Sequence, residues 1–156
     1  MRALDTAHVS YDVRQYEAHD TSTRDLGLKI ATELGENPAQ VFKTLVTVSP
    51  QGDHVVACIP VVCELDLKKL SRTAGYKSLS MIAVKDLEET TGYIRGSVSP
   101  IGMKKRFATM VDASAEAFDT ITVSAGKAGY QLVVNPEDLA GVVQAGFADI
   151  IRQDRS

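Results

Sequence analysis

Apolar and polar positions alternate along the chain in short blocks, and the period of each block predicts its structure. Tyr11 to Glu17 runs at period two, with Tyr11, Val13, Gln15 and Glu17 on one side and Asp12, Arg14 and Tyr16 on the other. That is a strand, and Ala3 to Val9 before it can form a short helix. Leu26, Ile30, Ala31 and Leu34 recur at helical spacing up to Gly35, and Thr21, Ser22 and Thr23 offer N-caps for this first helix. After a turn or one helical turn opened by Asn37-Pro38, Val41 to Val48 reads as a largely buried strand. His54 to Val62 follows the turn Pro50-Gln51-Gly52-Asp53 as its hairpin partner. Glu64 to Ala74 predicts a helix stopped by Gly75. Ser78 to Ala83 predicts a strand and Val84 to Thr90 a helix. Phe107 to Val111, Thr120 to Val123 and Tyr130 to Val134 are strands, the last two a hairpin around Ser124 to Gly129. Asn135-Pro136-Glu137-Asp138 carries the cap, proline and acids of a helix start, and Gly146 to Ile151 closes the chain before a charged tail. Strands interleaved with short helices that leave the hairpins intact predict an α+β fold with a mixed, mainly antiparallel, barrel-like sheet.

Two places break the pattern. Gly92 to Arg106 holds three glycines, two serines and a proline and then runs into Lys104, Lys105 and Arg106, which describes a shaped backbone loop beside a positive patch. The plainer reading is a surface turn with a solvated basic face. Lys43 is the second. In its strand, Phe42, Val46 and Val48 share one face and Val41, Lys43 and Leu45 the other, so the lysine has aliphatic neighbours on either choice of core. Such a lysine snorkels to water or meets an anion, unless it simply stands on the solvated side of the sheet.

Composition narrows the chemistry. The 156 residues fit a single domain over 1–156, and 44% hydrophobic with 24% charged residues is ordinary for a globular protein. A net charge of -3 gives no global attraction to nucleic acid, so a polyanion has to be held by a local basic cluster. Cys58 and Cys63 are too few for a disulfide scaffold, and Cys58 lies inside an apolar strand as a core thiol. The first residues lack an apolar leader and no apolar run reaches membrane length, so the expected location is cytoplasmic, without membrane contact. Gly126-Lys127 resembles a phosphate loop only superficially, because Ile121 and Ala128 stand where that motif needs glycine and serine or threonine. His8, His19 and His54 lack the spacing of a helical metal pair, so no metal and no cofactor are expected. What remains is an embedded lysine, two glycine-rich loops with serines, a strand tyrosine and a basic cluster. This set can orient a substrate and stabilise an oxyanion without supplying a nucleophile.

These residues fall into motifs. Val-Phe-Lys-Thr-Leu at 41–45, Leu-Asp-Leu-Lys-Lys at 65–69, Thr-Gly-Tyr at 91–93, Ser-Pro-Ile-Gly-Met-Lys-Lys-Arg at 99–106, Ser-Ala-Gly-Lys-Ala-Gly at 124–129 and Phe-Ala-Asp-Ile at 147–150 resemble the bacterial YbaK/EbsC family along essentially the whole chain. That family consists of free-standing aminoacyl-tRNA deacylases related to the editing domain of bacterial prolyl-tRNA synthetases. The resemblance implies hydrolysis of a wrong amino acid, typically cysteine, from tRNA for proline. A pocket for proline cannot strongly reject a side chain of similar size, so a second site removes the error. The family's pocket lysine falls on Lys43, its strand tyrosine on Tyr16, and its serine and glycine of the second loop on Ser124 and Gly126.

On this reading the substrate's own thiol attacks its ester carbonyl, while backbone N–H groups around Gly96 and Gly126 hold the oxyanion. Thr44, Ser99, Pro100, Gly102 and Lys127 line the binding region, and Lys104, Lys105 and Arg106 meet tRNA phosphates. The partners implied are the acceptor end of aminoacyl-tRNA and prolyl-tRNA synthetase, with no role for DNA. Two positions depart from the family: Ser97 and Ala125 stand where it has glycine, and the added hydroxymethyl of Ser97 takes up space and offers a hydrogen bond. The rival reading is a non-catalytic adaptor of the same fold that binds tRNA or the synthetase.

Overall fold

The computed structural model describes residues 2–16 and 26–153. Thr21, Ser22 and Thr23, the cap candidates for the first long helix, lie outside them, as do Glu17 and His19. The elements follow the order α1 (Arg2–Thr6), β1 (Tyr11–Gln15), α2 (Leu26–Glu33), β2 (Phe42–Val48), β3 (His54–Pro60), α3 (Leu67–Ala74), β4 (Ser80–Met81), α4 (Val84–Thr91), β5 (Ala108–Asp112), β6 (Ile121–Ser124), β7 (Tyr130–Val134), α5 (Pro136–Val143) and β8 (Gly146–Ala148). This is the expected α+β fold. Both hairpins form: β2 pairs antiparallel with β3, and β6 with β7.

The strands are divided between two sheets. One has the order β1-β7-β6 and is wholly antiparallel. The other has the order β4-β2-β3-β5-β8, with β3, β5 and β8 parallel. A parallel bridge between Val41 and Thr122 joins them, so the barrel-like arrangement is two sheets meeting along β2 and β6.

β3 lies at the centre of the larger sheet and is buried from Val55 to Pro60. Val55, Ala57 and Ile59 pack under Leu65, Leu70, Leu79 and Ile150, whereas Val56 meets Val46, Leu87 and Val98 on the opposite face. Cys58 joins Phe42 and Val111 in a core that continues into Ile121, Val123, Leu132 and Val134 of the smaller sheet. A strand covered on both faces reads as a continuous apolar run, which is why alternation is missing from its sequence.

Several boundaries differ from expectation: β3 ends at Pro60 rather than Val62, and β5 and β6 each lie one residue further along the chain. The helix expected from Glu64 starts at Leu67, because the Asp66 carboxylate accepts the Lys69 N–H at 3.0 Å and so fixes the cap. Leu65 instead bridges to Ile151. The strand expected over Ser78 to Ala83 is only Ser80–Met81, pairing with the end of β2. Asn135 caps as predicted, accepting from the Asp138 N–H, and Asn37 opens one helical turn over Pro38–Gln40, accepting from the Ala39 N–H. No helix among the described residues is long and apolar enough to cross a membrane.

Candidate functional site

The smaller sheet has one apolar and one polar face. Ile121, Val123, Leu132 and Val134 point into the core, so the residues between them point away. Arg14 lies opposite Gln131, and Gln131 opposite Ser124, which sets one residue from each strand in a row across the polar face. Thr122 belongs to the same face. Tyr16, the next even position after Arg14, stands at the end of this row, where its backbone N–H donates to the Gly129 carbonyl at 2.8 Å.

Lys43 reaches this face from the other sheet. β2 and β6 run side by side, and two residues beyond the bridge of Val41 to Thr122 come Lys43 and Ser124. Lys43 is half-buried, with no hydrogen-bond or ion-pair partner among the described residues. The snorkelling reading fits a half-buried lysine whose neighbours on its own face of the strand, Val41 and Leu45, are apolar.

Ser124 ties the two glycine-rich loops together. Its hydroxyl donates to the Ser97 carbonyl and accepts from the Gly126 N–H, both at 3.1 Å. The structure thus brings Ser97, Ser124 and Gly126 into one cluster, on the strand that runs beside that of Lys43. The Gly126 N–H is used within the loop, donating to Ser124. Gly96 occupies the third position of a tight turn from Ile94 to Ser97, where φ of +86° demands glycine. Its exposed backbone makes no hydrogen bond to a described residue, which leaves the Gly96 N–H as the open donor of the two.

Ser97 is 4% exposed, and its hydroxyl donates to the Ile94 carbonyl at 3.1 Å. The departure from the family glycine is therefore folded back into its own turn.

Tyr93 holds the loops in register. Its hydroxyl donates to the Ile101 carbonyl, and its ring lies so close to Gly126 that a Cβ there would stand 2.6 Å from Cε1. A Cβ on Gly102 would stand 2.9 Å from the same hydroxyl. Both glycines also have positive φ, so the wedge and the loops fit only because these positions lack side chains. Burial pushes the Tyr93 phenol up, and a hydrogen bond to Ser99 pulls it back in part. Sequence reading assigned Tyr93 no role, although an aromatic inside a glycine-rich loop was the available signal.

The remaining predicted residues are placed elsewhere or serve the fold. Thr44 is buried on the opposite face of β2, 3.7 Å from the Cys58 sulfur, so it is a core contact. Burial pushes that thiol up to about 12, in keeping with an inert core cysteine. Ser99 is fully buried and accepts the Ile101 N–H, and Pro100 is buried beside it. Lys104 folds back on α4, its ammonium donating to the Glu89 carbonyl at 3.4 Å near the helix C-terminus. Lys105 and Arg106 are exposed and line a cleft of about 170 Å³ with Ala3, Val142 and Val143. Lys127 stands over the Tyr130 ring at 5.1 Å.

Glu36 is the participant that sequence reading missed. Its side chain is 6% exposed, and it accepts from Arg14 at 2.8 Å and from Thr122 at 3.5 Å. With the Gln131 amide oriented so that its nitrogen donates, Glu36 Oε1 also lies 3.1 Å from it. A buried carboxylate thereby joins all three strands of the polar face. In sequence it merely follows Gly35 after a helix. The structure shows that the Glu36 N–H returns to the Ala31 carbonyl at 2.9 Å, a helix-ending motif that aims the chain back at the sheet.

The chain is similar, in sequence and in fold, to known proteins. The pattern of the aminoacyl-tRNA editing domain family matches residues 23–142. An Enterococcus faecalis protein named "Putative Cys-tRNA(Pro)/Cys-tRNA(Cys) deacylase EbsC" is 42% identical over 99% of this chain and 93% of its own length. A proline–tRNA ligase of Citrifermentans bemidjiense is 32% identical over 66% of this chain, a match that takes up 18% of the ligase. Among solved structures, one titled "Crystal structure of a putative trans-editing enzyme for prolyl tRNA synthetase" superposes with a TM-score of 0.79 at 21% identity, covering 97% of this chain and 94% of that one. Sequence and fold converge, and the chain belongs to the aminoacyl-tRNA editing domain family, on its YbaK/EbsC branch.

Proposed function

We propose that the whole chain acts as one trans-editing deacylase in the cytoplasm, releasing cysteine misattached to tRNA for proline. The observation that carries this reading is the near end-to-end likeness to the Enterococcus protein, whose name gives that substrate together with Cys-tRNA(Cys). The site adds physical support. Lys43 offers a positive charge beside the joined loops, and the open Gly96 N–H can donate to an oxygen that gains charge as the ester is attacked. Ser124 serves as a positioning residue, holding loop 96–102 against loop 124–129 so that this donor stays in place. The substrate thiol supplies the nucleophile in this scheme: its sulfur bonds to the ester carbon, the bond to the ribose oxygen breaks, that oxygen takes up the proton the thiol gives up, and water opens the released cyclic thioester to free cysteine.

Cysteine remains the favoured substrate despite Ser97. Its hydroxyl is satisfied by Ile94, so the position adds bulk without presenting an unpaired polar group to the pocket. Incubating the purified protein with a panel of charged tRNAs tests the reading. Release of cysteine from tRNA for proline, well ahead of the cognate proline, is the expected result. Tight binding of tRNA without release of any amino acid would make the protein an adaptor instead, and turnover of small model esters alone would point to a different substrate class.

A further inference from the structure

A cleft of about 510 Å³ opens along α3, and its lining is basic. Lys68 and Arg72 line it from the helix and Lys77 from the turn after Gly75, together with Ser71, Tyr76 and Ser78. No carboxylate of the described residues lines it. Lys68, Arg72 and Lys77 are exposed, and none has an ion-pair or side-chain hydrogen-bond partner among the described residues. Lys69 of the same helix behaves differently, donating to Asp149 and to the Ile151 carbonyl at 2.9 Å each. In a chain of net charge -3, three unneutralised cations around one cleft make a local positive field that attracts a polyanion.

The cleft also lies on the correct side of the molecule. Leu70 of α3 packs on Val55, Ala57 and Ile59, and Lys43 is the ladder partner of Ile59, so Lys43 and α3 share one face of the larger sheet. Lys104 is folded onto α4, and Phe107, next to Arg106, packs with Val46 and Val56 on the other face. The sequence made Lys104, Lys105 and Arg106 the phosphate contacts, whereas the geometry favours α3.

We infer that Lys68, Arg72 and Lys77 form an RNA-binding surface that takes backbone phosphates of the tRNA acceptor arm while its 3′ end lies at Lys43. This rests on the editing reading of the Lys43 site and adds how the rest of the substrate is held.

The test is salt-titrated binding of uncharged tRNA, with deacylation kinetics beside it, for the wild type, for a Lys68→Ala/Arg72→Ala/Lys77→Ala variant, for Lys105→Ala/Arg106→Ala, and for Lys85→Ala as an exposed control on α4. The triple variant should bind tRNA about tenfold or more weakly, with the slope of log affinity against log salt reduced by about one per cation removed. Its KM should rise while kcat at saturation holds. Binding and slope at the wild-type level in the triple variant would overturn the inference, as would a loss confined to the Lys105/Arg106 variant. The two readings fail separately. A wild type that binds tRNA through α3 yet releases no amino acid removes the editing activity and keeps the surface. A triple variant that deacylates at the wild-type KM removes the surface and keeps the activity.

Discussion

The two sheets share one core and spend their second faces differently. In the five-stranded sheet, β3 is apolar on both sides and covered on both, by α3 with its neighbouring segments and by α4 with loop 92–107. In the three-stranded sheet only one face is apolar, and the other presents Arg14, Gln131, Thr122 and Ser124 beneath Glu36. The first sheet holds the fold together. The second buries polar groups on its other face, and beside them Lys43, Ser124 and the two loops meet. Substitutions on the first should therefore cost stability alone, and those on the second should cost less stability and act on the site as well.

Four substitutions sharpen that contrast, taken from the largest stability effect to the smallest. Ile59→Ala removes a fully buried side chain from β3 and should destabilise by about 2–5 kcal/mol in denaturant unfolding. A loss below about 1 kcal/mol would mean that this face is less closely packed than the structure describes. Gly126→Ala adds a Cβ at φ of +89° against the Tyr93 ring, and should cost about 1–3 kcal/mol while lowering deacylation more than any core variant of equal stability. Glu36→Ala leaves the buried Gln131 amide without its acceptor, for about 1–2 kcal/mol. Its readout beyond stability is the KM-against-kcat split, with Glu36→Gln expected to recover part of the loss.

Asp66→Ala acts on α3, which covers the first sheet, and should cost about 1 kcal/mol as the loss of an N-cap. The Lys69 N–H donating to Asp66 holds its carboxyl below the usual range, aided by the Lys68 N–H and opposed by partial burial. A folded value below the unfolded one means that the stabilisation is complete above the unfolded pKa, about 3.9, and is lost as pH falls through the folded value. Wild type and Asp66→Ala should thus differ at neutral pH and converge in acid. A gap that persists there would assign the effect to something other than the ionised cap.

Much of this architecture was legible because its signals are local. Asn37, Asn135 and the turn at 50–53 announce themselves within four residues, and Lys43 stands out as a cation inside an apolar strand. The motifs made the family legible as well. The rest depends on groups far apart in sequence. Nothing near Glu36 says that Arg14, Thr122 and Gln131 converge on it, and the division into two sheets depends on where β6 meets β2. The fates of the Gly126 N–H, the Ser97 hydroxyl and the Lys104 ammonium were hidden for the same reason: each hydrogen bond is set by how a loop closes, which composition does not specify. The basic residues of α3 were visible in the sequence, but their common cleft was not.

The central claim is that Lys43, beside the loops joined by Ser124, is the centre of an editing site. Single-turnover hydrolysis of cysteine from tRNA for proline by the wild type and by Lys43→Ala tests it most directly. Loss of a charge at the reacting ester predicts a rate lower by about 10²-fold or more, with the variant's thermal unfolding close to the parent's because Lys43 is half-exposed and unpaired. Hydrolysis by Lys43→Ala at the parental rate would contradict the account.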